Sequence, residues 1–151
     1  SQDMPPEDKV DVAKIIGEVS EALSLKAKAR EIAIHSFIEP DLPEITADAR
    51  QVKQVVQNLA DNAVKYGVAK SDMLIKARLV NNKGPKISPE NLARLTERFY
   101  RMQEHKDLNI KGTGLGLAIA KHIILRHKGN LTVTSTAYNG TTFTIYLPLE
   151  I

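Results

Sequence analysis

A chain of 151 residues, 42% hydrophobic and 26% charged with a formal net charge of +3, has room for one α+β or α/β domain with a real core and little room for two. The absence of cysteine excludes disulfide frameworks, thiolate metal sites and cysteine nucleophiles. No apolar run approaches the roughly 20 residues that span a bilayer, Ser1 to Asp11 carries neither a basic nor an apolar signal region, and no run of like charge points to nucleic acid.

Ser1 to Lys9 is polar, contains two prolines and reads as a linker, which puts the domain at residues 10–151. From there Val12, Ile15, Ile16, Val19, Ala22 and Leu23 recur at three- and four-residue intervals, predicting one amphipathic helix to about Ala29. Arg30 to Ile38 alternates apolar and polar residues and predicts a strand, with His35 a surface or half-buried strand histidine rather than a catalytic one. After a turn at Glu39 to Pro43, Glu44 to Thr46 predicts a short edge strand, and Asp48 stands where the N-cap of a long helix belongs.

That helix lines its apolar face with Val52, Val55, Val56, Leu59, Ala60, Ala63 and Val64. Asn58, Asn62 and Lys65 fall at i, i+4 and i+7 and project from one side. Two carboxamides and an ammonium on one stripe suit a hydrated Mg2+ and phosphate oxygens; a solvated polar face is the alternative. Helix interiors disfavour Asn, which favours a site.

Met73 to Val80 is strand-like, and Asn81 to Lys86 has turn composition. Ser88-Pro89-Glu90-Asn91 has the form of a helix start, with Ser88 as N-cap and Pro89 at the first helical position, so a helix carrying Leu92, Leu95 and Phe99 is expected. Arg101 to Lys111 is polar and aperiodic, a loop suited to closing over a ligand.

Lys111-Gly112-Thr113-Gly114-Leu115-Gly116-Leu117 then places three glycines at alternate positions before an apolar run of Leu117, Ile119, Ile123 and Ile124. A flexible loop feeding a helix is expected there. Such a junction favours phosphate, because glycine lets the backbone approach closely and the first-turn N–H groups have no partner inside the helix. The helix runs to about His127, with Gly129 suited to a left-handed C′ position. Leu131 to Ala137 and Thr141 to Leu147 alternate as strands, joined through Asn139-Gly140, a strong hairpin signal.

Three stretches in order, QNLADNAVKYG at Gln57 to Gly67, GPKISPENLARLTERFYR at Gly84 to Arg101 and KGTGLGLAIAKHIILRHKGNL at Lys111 to Leu131, closely resemble the ATP-binding catalytic domain of bacterial sensor histidine kinases. They are similar to its N box, G1 region, F box and G2 box, and the closing TVTSTAYNGTTFTIYLP resembles its last strands. The TERFYR spelling is most similar to the phosphate-sensing kinases of that group. The resemblance covers the chain from about Val10.

It implies a Bergerat-fold, two-layer α/β sandwich of the α+β class, a mixed sheet against a layer of helices, with ATP and Mg2+ as cofactors. By position, Asn58 would be the Mg2+ ligand, Asn62 and Lys65 would contact phosphates, and Tyr66 would lie near them. Arg98, Phe99, Tyr100 and Arg101 would form the F box at the lid base. Lys111, Gly112, Thr113, Gly114, Leu115, Gly116 and Leu117 would wrap the triphosphate.

The activity implied is γ-phosphoryl transfer to a histidine, in which positioning and charge neutralisation supply most of the catalysis. The phosphoacceptor histidine belongs to a separate dimerising hairpin of the parent chain, and none of His35, His105, His122 or His127 has its setting. The partners implied are that hairpin and a response regulator, with no nucleic acid, and the setting is the cytoplasmic side of a membrane-bound sensor. ATPases that share the fold, including chaperones and topoisomerases, need an acidic base just ahead of the first N-box Asn. Here Gln57 precedes Asn58 and Gln54 lies one turn earlier, which disfavours simple hydrolysis.

Two departures stand out. Asn82 and Lys86 stand where the family has the adenine-binding Asp and a glycine, near Gly84. Asn accepts through its carbonyl oxygen but adds no charge, so weakened nucleotide binding, or a regulatory module of the same fold without catalysis, is the alternative expectation. Between Tyr66 and Gly84 the family fits two strands of a hairpin, and this chain has room for little more than one; a loop missing near Val80 to Asn82 is expected.

Overall fold

The computed structural model describes residues 6–81, 91–100, 114–136 and 140–150, with the backbone alone for 81, 91–100, 114, 115, 135 and 136. In chain order the elements are β1 (Asp8–Val10), α1 (Val12–Ala22), α2 (Ser24–Ala29), β2 (Ala33–Ile38), β3 (Ile45–Ala47), α3 (Ala49–Tyr66), β4 (Asp72–Asn81), β5 (Asn91–Tyr100), α4 (Gly114–Arg126), β6 (Asn130–Thr136) and β7 (Gly140–Pro148). Among the described residues a five-stranded mixed sheet has the order β2-β4-β5-β7-β6, with β2 and β4 parallel and the other neighbours antiparallel, and β1 pairs with β3 in a small second sheet. No helix of the described residues is long and apolar enough to cross a membrane.

The helical layer packs through periodic faces. α1 buries Val12, Ile15, Ile16 and Val19, and α3 buries Val52, Val55, Val56, Leu59, Ala60, Ala63 and Val64. These join Met73, Ile75 and Ala77 of β4, Ala120, Ile123 and Ile124 of α4 and Phe143, Ile145 and Leu147 of β7 in one core. Alternation along β4 and β7 thus gives the sheet one apolar face, as a two-layer fold requires.

Asp48 is the N-cap of α3, its side chain accepting from Gln51 N at 3.1 Å. Asp8 of β1 accepts from Ala49 N at 3.1 Å, so two of the helix's orphan N–H groups are satisfied by carboxylates. Asp8 and Lys9, which composition assigns to a linker, are therefore part of the fold. The first helix is two pieces, broken at Leu23 (φ −94, ψ 0), where Ser24 Oγ donates to Glu21 O at 2.9 Å and competes with the helical ladder.

The largest departure from sequence expectation is β5. Residues 91–100, expected to form a helix behind Ser88 and Pro89, are a strand between β4 and β7: Leu95 lies opposite Ala77 on one side and Ile145 on the other. Without it two long strands would present open edges in the middle of the sheet, and a doubly paired strand satisfies both ladders. The second strand that seemed to lack room before Gly84 is thus supplied from beyond it. Ser88 and Pro89, the turn at 82–86 and the loop at 101–111 lie outside the described residues.

The helix after the glycines also differs in its face. Its buried stripe is Ala120, Ile123, Ile124 and His127, while Ile119 is 38% exposed. With 100° between successive residues, 119 falls beyond the stripe that 120, 123, 124 and 127 share. At its end Lys128, not Gly129, takes the left-handed conformation (φ 60). Lys128 N donates to Leu125 O and Gly129 N to Ile124 O, both at 2.9 Å, the Schellman pairing. Glycine is needed one place later for space, since a Cβ on residue 129 would run into Tyr146 O of β7. The closing hairpin forms as expected, with Thr136 opposite Gly140.

Candidate functional site

The stripe on α3 survives in the fold with graded burial: Asn58 is half-buried, Asn62 is buried and Lys65 is exposed. Tyr66, half-buried at the helix end, packs against the core, and Lys65 Nζ stands 5.4 Å from its ring centroid. An amine at that distance over a ring is held loosely by the ring's quadrupole and keeps its donors available. Asp61 on the same stretch pairs with Lys26 of α2 at 3.5 Å. Both groups are substantially exposed, so the pair contributes little to stability.

Gly114 and Gly116, expected in a loop, lie in the first turn of α4. The unpaired N–H groups of a helix start are therefore contributed by this glycine run itself. Asn58 Nδ2 donates to Gly116 O at 3.4 Å, which joins the polar stripe of α3 to the beginning of α4. A Cβ built on Gly116 would stand 3.9 Å from Asn58 Nδ2, in ordinary contact. Because the amide nitrogen faces the carbonyl, the Asn58 oxygen is the atom turned away from Gly116, and an oxygen is the ligand a hard cation takes. Leu117, half-buried, packs against the core beneath this junction.

Of the other residues singled out in the sequence, Arg98, Phe99 and Tyr100 lie on β5, where the register with β7 shifts between Arg98 and Tyr100. They stand on a strand rather than at the end of a helix. Leu115 lies in the first turn of α4. Asn82, Gly84, Lys86, Arg101, Lys111, Gly112 and Thr113 fall outside the described residues. Among the described residues no group of three or more His, Cys, Asp or Glu side chains could hold a metal.

Two features were not read from the sequence. Arg30, assigned by alternation to a strand, reaches the carbonyls at the end of α3. At the other end Asp48 N donates to His127 Nε2 at 3.0 Å, His127 Nδ1 bonds Ile123 O at 2.8 Å, and Arg126 Nη1 donates to Gln51 Oε1 at 2.6 Å and to Asp48 Oδ2 at 3.4 Å. Since Nε2 accepts, His127 carries its proton on Nδ1. A histidine in register with Ile123 and Ile124 was the available signal for its burial.

The family model described as histidine kinase-, DNA gyrase B-, and HSP90-like ATPase matches residues 47–151. The chain is 35% identical over 151 residues to the sensor protein RprX of Bacteroides fragilis, covering 93% of this chain and 29% of that protein. It is 31% identical to the sensor histidine kinase CusS of Escherichia coli, covering 98% and 32%, and 37% identical over 111 residues to the phosphate regulon sensor protein PhoR of Pseudomonas aeruginosa, covering 68% and 25%. The chain thus spans less than a third of the length of these relatives. The catalytic domain of histidine kinase ThkA superimposes with a TM-score of 0.76 at 20% identity, over 95% of this chain and 96% of that one. Full-length ShkA in complex with AMPPNP gives 0.76 at 22% identity, over 98% and 32%. These structural likenesses establish the fold, the α+β Bergerat sandwich.

Proposed function

Because this chain belongs to the histidine kinase-, DNA gyrase B-, and HSP90-like ATPase family, we propose that it binds Mg-ATP and passes the γ-phosphoryl group to a histidine on a separate domain of a longer sensor kinase. The observation that carries the reading is the junction of Asn58 with Gly116. It holds the Asn58 carboxamide against the first turn of α4 through its nitrogen, leaving its oxygen free as a cation ligand near the partial positive charge and unpaired N–H groups that favour phosphate.

In this reading Asn58 holds Mg2+, Asn62 and Lys65 meet phosphate oxygens, and Tyr66 flanks them. Gly112, Gly114 and Gly116 let the backbone approach the triphosphate. Arg98, Phe99, Tyr100 and Arg101, with Lys111, Thr113, Leu115 and Leu117, border the nucleotide, and Asn82 and Gly84 meet its adenine end. Bound Mg2+ supplies charge neutralisation at the phosphates. The chain's own groups do the orienting. The acceptor histidine stands on a dimerising hairpin of the same parent, which hands the phosphoryl group to a response regulator on the cytoplasmic side of the membrane.

Calorimetric titration with Mg-ATP tests this. Saturable binding with a Kd below about 1 mM is expected, falling by about tenfold or more in N58A; no saturable binding by the wild-type chain would sink the kinase reading. Asn82 and Lys86 favour a second reading, a regulatory module of the same fold with weak or no nucleotide binding. N82D separates the two: a marked gain in affinity over a weak wild type places the defect in adenine recognition, whereas no change removes that support.

A further inference from the structure

The end of α3 that carries Lys65 and Tyr66 has an unusual cap. The last carbonyls of a helix have no partner inside it, and many helices solve this with a left-handed residue just past the end. Here the C-cap Gly67 is extended (φ −72, ψ 171). The guanidinium of Arg30 takes over, with Nη1 at 2.7 Å from Val64 O, 3.1 Å from Lys65 O and 2.7 Å from Gly67 O. A cation in this place also complements the negative end of the helix dipole, and hydrogen bonds from a charged donor are stronger than neutral ones.

Arg30 is itself held firmly. It is the C-cap residue of α2 (φ −102, ψ 6) and is followed by Glu31 in the left-handed region (φ 58). Glu31 N donates to Lys28 O and Ile32 N to Ala27 O, both at 2.9 Å, while Arg30 O accepts from Lys70 N at 3.1 Å. The side chain is half-buried and shares a groove of about 380 Å³ with Lys26, Asp61, Val64 and Lys65. One anchored residue thus ties the turn before β2 to the last turn of α3.

We propose that Arg30 is a positioning residue for nucleotide binding: by holding the carbonyls of Val64, Lys65 and Gly67 it keeps the last turn of α3 helical, and so fixes where Lys65 and Tyr66 meet the phosphates. This rests on the Mg-ATP reading above. Arg30 acts through backbone alone and touches no ligand. Its loss frays the helix end and removes the phosphate contacts of Lys65, leaving recognition of the adenosine part in place.

The experiment compares the full chain with R30K, R30M, K65M and R30M/K65M, measuring Mg-ATP affinity by calorimetry, AMP affinity by competition and stability by urea unfolding. R30M is expected to weaken Mg-ATP about fivefold to tenfold while AMP stays within about twofold, and to add little to the loss in K65M, as expected for residues acting through one contact. R30K, keeping the charge but on a shorter, more strongly hydrated amine in place of the planar guanidinium, is expected to fall between wild type and R30M. Equal losses for ATP and AMP, or full additivity with K65M, would overturn the role and leave Arg30 as a stabiliser only. Should R30M fail to fold, R30K decides by the same criterion: a triphosphate-selective loss supports the role and an unselective or absent loss overturns it. A wild-type chain that binds no nucleotide overturns the underlying reading as well, whereas a wild type that binds and an R30M that binds equally overturn the role of Arg30 alone.

Discussion

α3 and α4 run past each other in opposite directions, and the polar contacts at the two ends of their shared face are built differently. Where α3 begins and α4 ends, Asp48, Gln51, Arg126 and His127 form a dense polar clamp, with His127 only 1% exposed and both of its ring nitrogens occupied. Immediately beyond, the chain passes so close to Tyr146 that residue 129 has no room for a Cβ. Where the middle of α3 meets the start of α4, Asn58 Nδ2 donates to Gly116 O in a longer bond of 3.4 Å, and a Cβ would fit. Buried polar groups are costly unless fully paired, so the first contact fixes how the helices sit. In the proposed reading the second leaves carboxamide and N–H groups for an outside partner, which would separate the two jobs along the same pair of helices.

The sharpest way to break this comparison is at the closed end. G129A forces the backbone of β7 or the end of α4 to move, because the clash is with the carbonyl of Tyr146 and not with a flexible side-chain tip, and Leu147 and Ile124 stand close behind. A loss of about 3 kcal/mol is expected, read as a lowered urea midpoint with unchanged slope. A G129A chain as stable as wild type would show that the closed end yields easily. A smaller effect is expected for H127L, which leaves Asp48 N–H without its acceptor while filling a similar volume. About 2 kcal/mol should be lost, with the Mg-ATP affinity of the folded protein little changed. An affinity loss in step with the stability loss would mean that the two contacts are not separate.

What could be read from the sequence divides along a related line. The Asp48 cap, the apolar stripe of α3 and the hairpin of β6 and β7 depend on residues a few places apart, and local patterns report such structure well. β5 was hidden because a strong local helix-start signal at Ser88 and Pro89 competed with pairing to strands distant in sequence, and distant pairing prevailed. β1 is three residues long with its partner more than thirty places on, too short for alternation to register. Composition points to Gly129 for the left-handed position, yet Lys128 takes it. The single glycine instead goes where a Cβ does not fit, and Lys128 accepts the left-handed strain of about 1 kcal/mol. In the candidate site, the stripe of Asn58, Asn62 and Lys65 was legible from helical spacing, while Arg30 was not, since it caps a helix 34 positions away.

The smallest effect is also the one that best sharpens the comparison, because it asks the same substitution to act with opposite sign at the two ends. Gly116 lies in the first turn of α4 with no left-handed φ, and an added methyl would meet Asn58 at ordinary contact distance. Alanine restricts the unfolded chain more than glycine and suits a helix better, so G116A should stabilise the chain by about 0.5 kcal/mol, where G129A costs several times that. Yet the methyl occupies the space between the Asn58 carboxamide and the helix start, where the backbone needs to approach an anion. Mg-ATP affinity should therefore fall, by about tenfold if the methyl removes one phosphate contact. Urea unfolding and calorimetry on the same sample separate the two effects. A G116A chain that is both more stable and an undiminished binder would place the phosphates elsewhere than at the start of α4, and one that is less stable would mean that this end is packed as tightly as the other.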